Sequence, residues 1–291
     1  MENMALQNAI AGIGLTIIEN RSRANVEEEM REDGMPYCKR CREPLLLKLE
    51  FAESMAERLG KTRYVPRNCA CMRVMLAEES AQYEAQKRRE EVERGSEIAS
   101  YSYREQTFSK DDGRAPKIKR MCQRYVEKSA EMADGNFGLA FVGENESGKT
   151  FWASCIANAL MEKGETVMLI PLKQLIDRMN KNFGEYREET IRKIRTVGFL
   201  ILDDYGAERE TDYSLENAFE IIDARYCAKK PLIITTNLTE DALRNPSDIK
   251  LKRSYSRIVE MCPAIVKVEW IERRKEIAEA KKKALAEFLR G

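Results

Sequence analysis

Two textures divide this chain. From Phe137 onward, short apolar runs alternate with longer segments in which apolar residues recur at helical spacing. The runs are FGLAFV (137–142), TVMLI (166–170), VGFLIL (197–202), PLIITT (231–236) and AIVKV (264–268). None shows the in–out alternation of a half-solvated strand, so they read as strands buried on both faces. Between them lie KTFWASCIANALMEKG, with Gly164 placed to end a helix, and SLENAFEIIDARYCAKK. The segment PLKQLIDRMNKNFGEYREETIRKI reads as one helix, or as two broken at Gly184. This alternation predicts an α/β fold, a parallel sheet flanked by helices.

The first third is written differently. LAEESAQYEAQKRREEVERGSEI (76–98) carries almost no apolar stripe and predicts an exposed helix of mixed charge. DDGRAP (111–116) is turn-rich and marks the approach to the α/β region. The expected division is therefore a small module with its charged linker helix over 1–104 and an α/β domain over 105–291. Near the start, Ala5 to Ile18 predicts a short amphipathic helix interrupted by Gly12 and Gly14. It either packs on its own domain or meets a partner.

Composition narrows the function classes. The chain has 291 residues, 43% hydrophobic and 34% charged, with Lys+Arg 50 against Asp+Glu 49. A globally basic nucleic-acid binder is excluded, and any such surface is local. There is no histidine, which removes histidine bases, Ser-His and Cys-His pairs and histidine metal ligands. No apolar run reaches the ~18 residues of a membrane span. The start lacks a basic leader and a small-residue cleavage site, so the expected location is the reducing cytoplasm, with no membrane partner. Residues 173–195 hold Lys173, Arg178, Lys181, Arg187, Arg192, Lys193 and Arg195 with Phe183 and Tyr186 among them. Such a set suits either a solvated helix face or a strand-tracking DNA groove.

Eight cysteines in a reducing compartment point to metal sites or cores. Cys38-x2-Cys41 and Cys69-x-Cys71 supply four thiolates, enough for a closed tetrahedral Zn2+ site. The insert between the pairs reads as a hairpin or a helix. The surrounding sequence is poor in apolar residues, and a metal would staple it. Cys122, Cys155, Cys227 and Cys262 stand in helical or apolar contexts and read as core residues.

The strongest chemical signal follows the first strand. Gly143-Glu144-Asn145-Glu146-Ser147-Gly148-Lys149-Thr150 fits G-x-x-x-x-G-K-[ST], between a strand and a helix start. Backbone N–H groups at that helix start face an anion, and the dipole favours negative charge there. Lys149 is expected to reach the β- and γ-phosphates of ATP, and the Thr150 hydroxyl to ligate Mg2+. The third strand ends in Asp203-Asp204, at the carboxyl edge where ligands of open α/β sheets bind. Asp203 is expected to hold Mg2+, directly or through water, and Asp204 to orient and deprotonate the attacking water. Asn237, just past the fourth strand, is placed to position that water. Arg253 and Arg257 share a helix face. They pair with acids or reach the γ-phosphate of a neighbouring subunit.

These motifs together carry a resemblance. NFGLAFVGENESGKTFWASCIANAL, FLILDDYGAERETDYSLE, IIDARY, KPLIITTNL and RSYSRIVEMC resemble the DnaC-type helicase loaders of the AAA+ ATPase superfamily, with IstB transposition ATPases as close relatives. The likeness covers roughly Phe108 to Trp270. It implies an AAA+ P-loop domain that self-associates side by side with ATP between protomers. Asn237 would then be a sensor and Arg257 a finger acting in trans. It also implies an N-terminal region that grips a DnaB-type replicative helicase, and binding of single-stranded DNA. Arg273 and Arg274 match a second sensor, in a reduced lid. The implied function is ATP-dependent helicase loading in replication initiation. The alternatives are a transposition helper ATPase, or a helicase-binding adaptor or inhibitor with an impaired nucleotide site. That last alternative rests on Glu146, where the family usually has glycine. Its carboxylate either turns to solvent or repels phosphate and strains the loop, weakening ATP binding.

Overall fold

The computed structural model describes residues 26–50, 62–180, 185–206, 211–246, 248–269 and 273–289. The expected helix over Ala5 to Ile18 lies outside the described residues, as do Lys181, Phe183 and Gly184. The chain forms two compact units, Met1–Lys87 and Arg88–Gly291.

In the first unit, β1 (Glu28–Met30) pairs antiparallel with β2 (Pro36–Cys38), and β3 (Leu46–Glu50) with β4 (Thr62–Pro66). The described arms of the insert are thus strands. Among the described residues its buried hydrophobic cluster is small: Cys38, Leu45, Cys69 and Met72. Helix α1 (Ala70–Gly95) starts within the Cys-x-Cys pair. All of residues 77–91 are exposed, as their mixed-charge sequence predicts.

The second unit is built on a six-stranded sheet, parallel throughout, in the order β10-β6-β9-β8-β7-β5. In chain order its elements begin with β5 (Glu97–Ile98), α2 (Tyr101–Arg104), α3 (Pro116–Glu127) and α4 (Ser129–Asp134). They continue through β6 (Leu139–Val142), α5 (Lys149–Glu162), β7 (Val167–Pro171), α6 (Leu172–Asn180), α7 (Glu185–Thr196) and β8 (Phe199–Tyr205). The last are α8 (Asp212–Cys227), β9 (Leu232–Thr236), α9 (Glu240–Arg244), α10 (Ile249–Met261), β10 (Ala264–Lys267) and α11 (Arg273–Phe288). Every expected strand is present.

Successive strand residues point to opposite faces, and both faces are covered. Ala140, Met168, Leu200 and Ile234 join one buried cluster with α6, α7, α8 and α10. Phe141, Leu169, Ile201 and Ile233 join the other, with Trp152, Ile156 and Leu160 of α5 and Tyr125 of α3. Burial on both sides is why these strands carry unbroken apolar runs.

Strand β5 has no such run and was not foreseen. Polar contacts hold it. Glu97 takes Arg178 at 2.5 Å and Lys193 at 2.8 Å, and Ser96 Oγ accepts the Val167 N–H at 2.9 Å. These ties draw residues 96–98, which the sequence groups with the N-terminal module, onto the edge of the sheet.

Arg225 pins the end of the sheet away from the phosphate loop. Fully buried, its guanidinium donates to the carbonyls of Ile194, Val197, Gly198 and Pro231 at 2.6–3.0 Å. Burial pulls its pKa down, to about 9. The full set of carbonyl acceptors favours the charged form. One expectation about the cysteines is corrected: Cys122, Cys155 and Cys262 are buried, but Cys227 is exposed. It is the last residue of α8.

Candidate nucleotide and metal sites

The loop between β6 and α5 is shaped by its backbone. A Cβ on Gly143 would lie 2.4 Å from the Val268 carbonyl oxygen, so only glycine fits beside β10. Gly148, at φ +101°, caps α5 in a conformation costly for other residues. Glu146 is also left-handed, at φ +66°. The loop therefore requires a conformation at 146 that glycine adopts freely and glutamate adopts at a cost of about 1 kcal/mol. The residue itself is exposed, which places the departure from the glycine pattern in the backbone rather than inside the loop.

Lys149 is buried and donates from Nζ to the carbonyls of Gly143 at 3.0 Å and Glu144 at 2.7 Å. Burial holds its ammonium below the usual lysine range, while Asp204 and Asp203 pull the other way. A polyanion arriving at this loop would meet a cation whose charge is incompletely compensated by neutral carbonyls.

The two acids at the end of β8 have separate environments. The β8–β9 register is regular to Leu202↔Ile234, then shifts before Tyr205↔Thr236. Within that irregularity Asp204 takes φ +53°, and its N–H donates to Thr235 Oγ1 at 2.9 Å. The bulge turns Asp204 toward solvent and leaves Asp203 only 1% exposed. Asp203 collects three hydroxyl donors. Thr150 Oγ1 at 2.9 Å and Thr235 Oγ1 at 2.6 Å reach Oδ1, and the Tyr103 hydroxyl reaches Oδ2 at 2.9 Å. Hard oxygen donors on Thr150 and Asp203, brought into contact from different elements, fit Mg2+. Thr235 and Tyr103 were not foreseen as site residues. Thr235 stood in a recognisable strand end, whereas Tyr103 lies in a short helix that no motif marks.

Asn237 follows β9 and is exposed. Arg257 stands away from the loop in sequence and is engaged within its own chain. It pairs with Asp223 and lies over the rings of Phe219 at 4.9 Å and Tyr226 at 5.1 Å. Arg253 also faces Phe219, at 5.3 Å. In the basic segment, Arg178 and Lys193 pair with Glu97, and Arg187 pairs with Glu220. These three are half-buried and engaged in ion pairs within the chain. The side chains of Arg273 and Arg274 lie outside the described set.

The second candidate site is in the first unit. The sulfurs of Cys38, Cys41, Cys69 and Cys71 all lie within 4.8 Å of one another. Cys71 Sγ is 3.5 Å from Cys38 Sγ and 3.3 Å from Cys69 Sγ. Tetrahedral zinc thiolate sites, with Zn–S near 2.3 Å, have sulfurs about 3.8 Å apart, so the cluster fits the ion. Burial opposes the Cys41 thiolate, but N–H donors from Cys71 and Glu43 bring its pKa down to about 6. Burial and the other three sulfurs push Cys71 up to about 12. Thiols this close lose their protons together only when a cation balances them. Glu43 braces the site by accepting from Ala70 N–H at 2.8 Å, at the start of α1, and from Arg67 at 3.1 Å.

The uncharacterized protein YdaV of Escherichia coli K12 is 28% identical over 129 residues, covering 42% of this chain and 52% of its own length. The replicative helicase loader DnaC of the same strain is 29% identical over 119 residues, covering 40% of this chain and 47% of its own. The replicative helicase loader DnaI of Bacillus subtilis is 25% identical over 172 residues, 55% of each chain. The chain thus spans about half the length of the curated relatives it matches. A crystal structure of the DnaC helicase loader aligns with 58% of this chain and 99% of its own, at 26% identity and a TM-score of 0.49. The family model for IstB-like ATP binding proteins matches residues 68–247, a span that contains the phosphate loop, the Asp203–Asp204 strand end and Asn237. The chain belongs to the IstB-like ATP-binding protein family.

Proposed function

We propose that this protein is an ATP-dependent loader of a DnaB-type replicative helicase onto single-stranded DNA, working in the cytoplasm. The observation that carries the nucleotide half of this reading is the Thr150–Asp203 hydrogen bond, which joins the phosphate loop to the acidic strand tip. The loader half is supported by relatives named as replicative helicase loaders, DnaC and DnaI. In this reading the loop N–H groups and Lys149 hold the phosphates, and Thr150 and Asp203 hold Mg2+, which would neutralise phosphate charge. Asp204, turned out of the sheet by its bulge, accepts the proton of the attacking water. Asn237 orients that water. Arg257 serves a neighbouring protomer of a side-by-side assembly, after leaving Asp223. The cysteine module holds Zn2+ and supplies the helicase-binding surface. The nucleotide state sets affinity for helicase and DNA by favouring one conformation over another.

The test is co-purification with a DnaB-type helicase, with and without ATP. Nucleotide-dependent capture is the expected result. Capture in neither state overturns the loader reading. A second reading is favoured by the left-handed Glu146. It makes the protein a helicase-binding adaptor with a weakened nucleotide site. Helicase capture together with absent ATP turnover would select it.

A further inference from the structure

The hydroxyl of Tyr103 is a contact that no phosphate-loop motif calls for. Tyr103 stands on α2, 100 residues before its partner, and donates to Asp203 Oδ2 at 2.9 Å. The other carboxylate oxygen serves Thr150 and Thr235. Three donors from three elements therefore fix both oxygens of one carboxylate, and with them the plane of the group.

The tyrosine is itself held. Asn158, on the helix that begins at Lys149, donates from Nδ2 to the carbonyls of Tyr103 at 2.8 Å and Gln106 at 2.6 Å. That amide ties the segment bearing the phenol to the same helix that bears Thr150. A tyrosine phenol, with an ordinary pKa of about 10, is neutral at physiological pH and donates one hydrogen bond here. A neutral phenol is a directional donor. It aims a carboxylate without adding a charge that would compete with a cation for it.

We propose that Tyr103 is a positioning residue of the Mg2+–nucleotide site, holding Asp203 Oδ2 so that the carboxylate and the Thr150 hydroxyl present a preset pair of oxygens to the metal. The inference rests on the nucleotide-site reading and extends it to a residue outside the motifs. It differs from a packing role. Loss of one hydroxyl would leave the apolar part of the side chain in place and disturb the metal's partner alone.

The experiment compares wild type with Tyr103→Phe in fluorescent ATP titrations, once with chelator and once across a Mg2+ series. A charge-assisted bond of this kind, lost from an aimed carboxylate, is expected to raise the half-saturating Mg2+ by about 10-fold. Affinity in chelator should stay within about 2-fold, because Lys149 and the loop N–H groups are untouched. Asn158→Ala is expected to move the Mg2+ midpoint the same way by a smaller factor, since it loosens the segment but leaves the phenol. An unchanged Mg2+ midpoint in Tyr103→Phe, with wild type binding normally, overturns the inference alone. Equal weakening with and without Mg2+ also overturns it and assigns the bond to general packing. Wild type that binds no Mg2+–ATP overturns the nucleotide-site reading, and the inference with it.

Discussion

The two units hold their candidate sites by opposite means. Around Asp203 the framework is a large apolar one: four strands buried on both faces, so that a carboxylate and its three hydroxyl donors sit at the tip of a sheet already stabilised by packing. Around the cysteines, two of the four buried hydrophobic residues in the cluster of described residues, Cys38 and Cys69, are themselves candidate ligands. In the second unit the fold precedes the site. In the first, the site is a large part of the fold. Among its described residues the first unit buries few apolar side chains, and in the proposed reading Zn2+ would supply part of the stabilisation.

The largest expected effect comes from depriving the four cysteines of the proposed zinc. Chelation, or Cys38→Ser, is expected to release one zinc per chain and expose the first unit to proteolysis, leaving nucleotide binding by the second intact. Metal analysis and limited proteolysis read the outcome. Purified protein without zinc, together with a fully stable Cys38→Ser, would remove the metal from the account.

The converse perturbation is Arg225→Met. It strips donors from the carbonyls of Ile194, Val197, Gly198 and Pro231 without touching the first unit. Unsatisfied buried carbonyls predict a loss of roughly 3 kcal/mol or more, or about 10 °C in the melting of a unit this size. Calorimetry should show it with zinc content unchanged. A melting point equal to wild type would mean that water or a shifted backbone replaces the guanidinium.

The smallest expected effect sharpens the question of how far the phosphate loop is handicapped. Glu146→Gly relieves a left-handed backbone cost of about 1 kcal/mol, which corresponds to roughly fivefold tighter ATP binding if the loop is ordered mainly when occupied. Isothermal titration of both proteins measures it. Equal and tight affinities would show that Glu146 is no handicap.

Much of both sites was legible in the residues. Lys149 and Thr150 were marked by the Gly-x4-Gly-Lys-Thr string, Asp203 by its place at the end of an apolar run, and the four cysteines by their spacing. What escaped was held by polar contacts between distant segments. Glu97 lies on a strand paired with β7 and is held by Arg178 and Lys193 of the flanking helices, and that strand has no apolar run to betray it. Tyr103 reaches Asp203 across 100 positions, from a helix too short to carry a periodic signal. Arg257 is marked by its spacing from Arg253, but its engagement with Asp223 and the Phe219 ring depends on how α10 lies against α8. Cys227 illustrates the same limit from the other side. Its neighbours are helical and partly apolar, yet the last turn of α8 carries it out to solvent.

The parallel sheet with its two covered faces, the phosphate loop and the thiol set are written in the order of the residues. Those follow from local patterns: apolar runs that must leave water, glycines where no Cβ fits, and short ligand spacings. Only the tertiary structure decided that Asp203 is buried and triply bonded while Asp204 turns outward. It alone brought Tyr103 to the Asp203 carboxylate and set Glu146 at a left-handed φ. A strand bulge, a hydroxyl's reach and a loop's dihedrals depend on where neighbouring elements come to rest, and no run of adjacent residues encodes that.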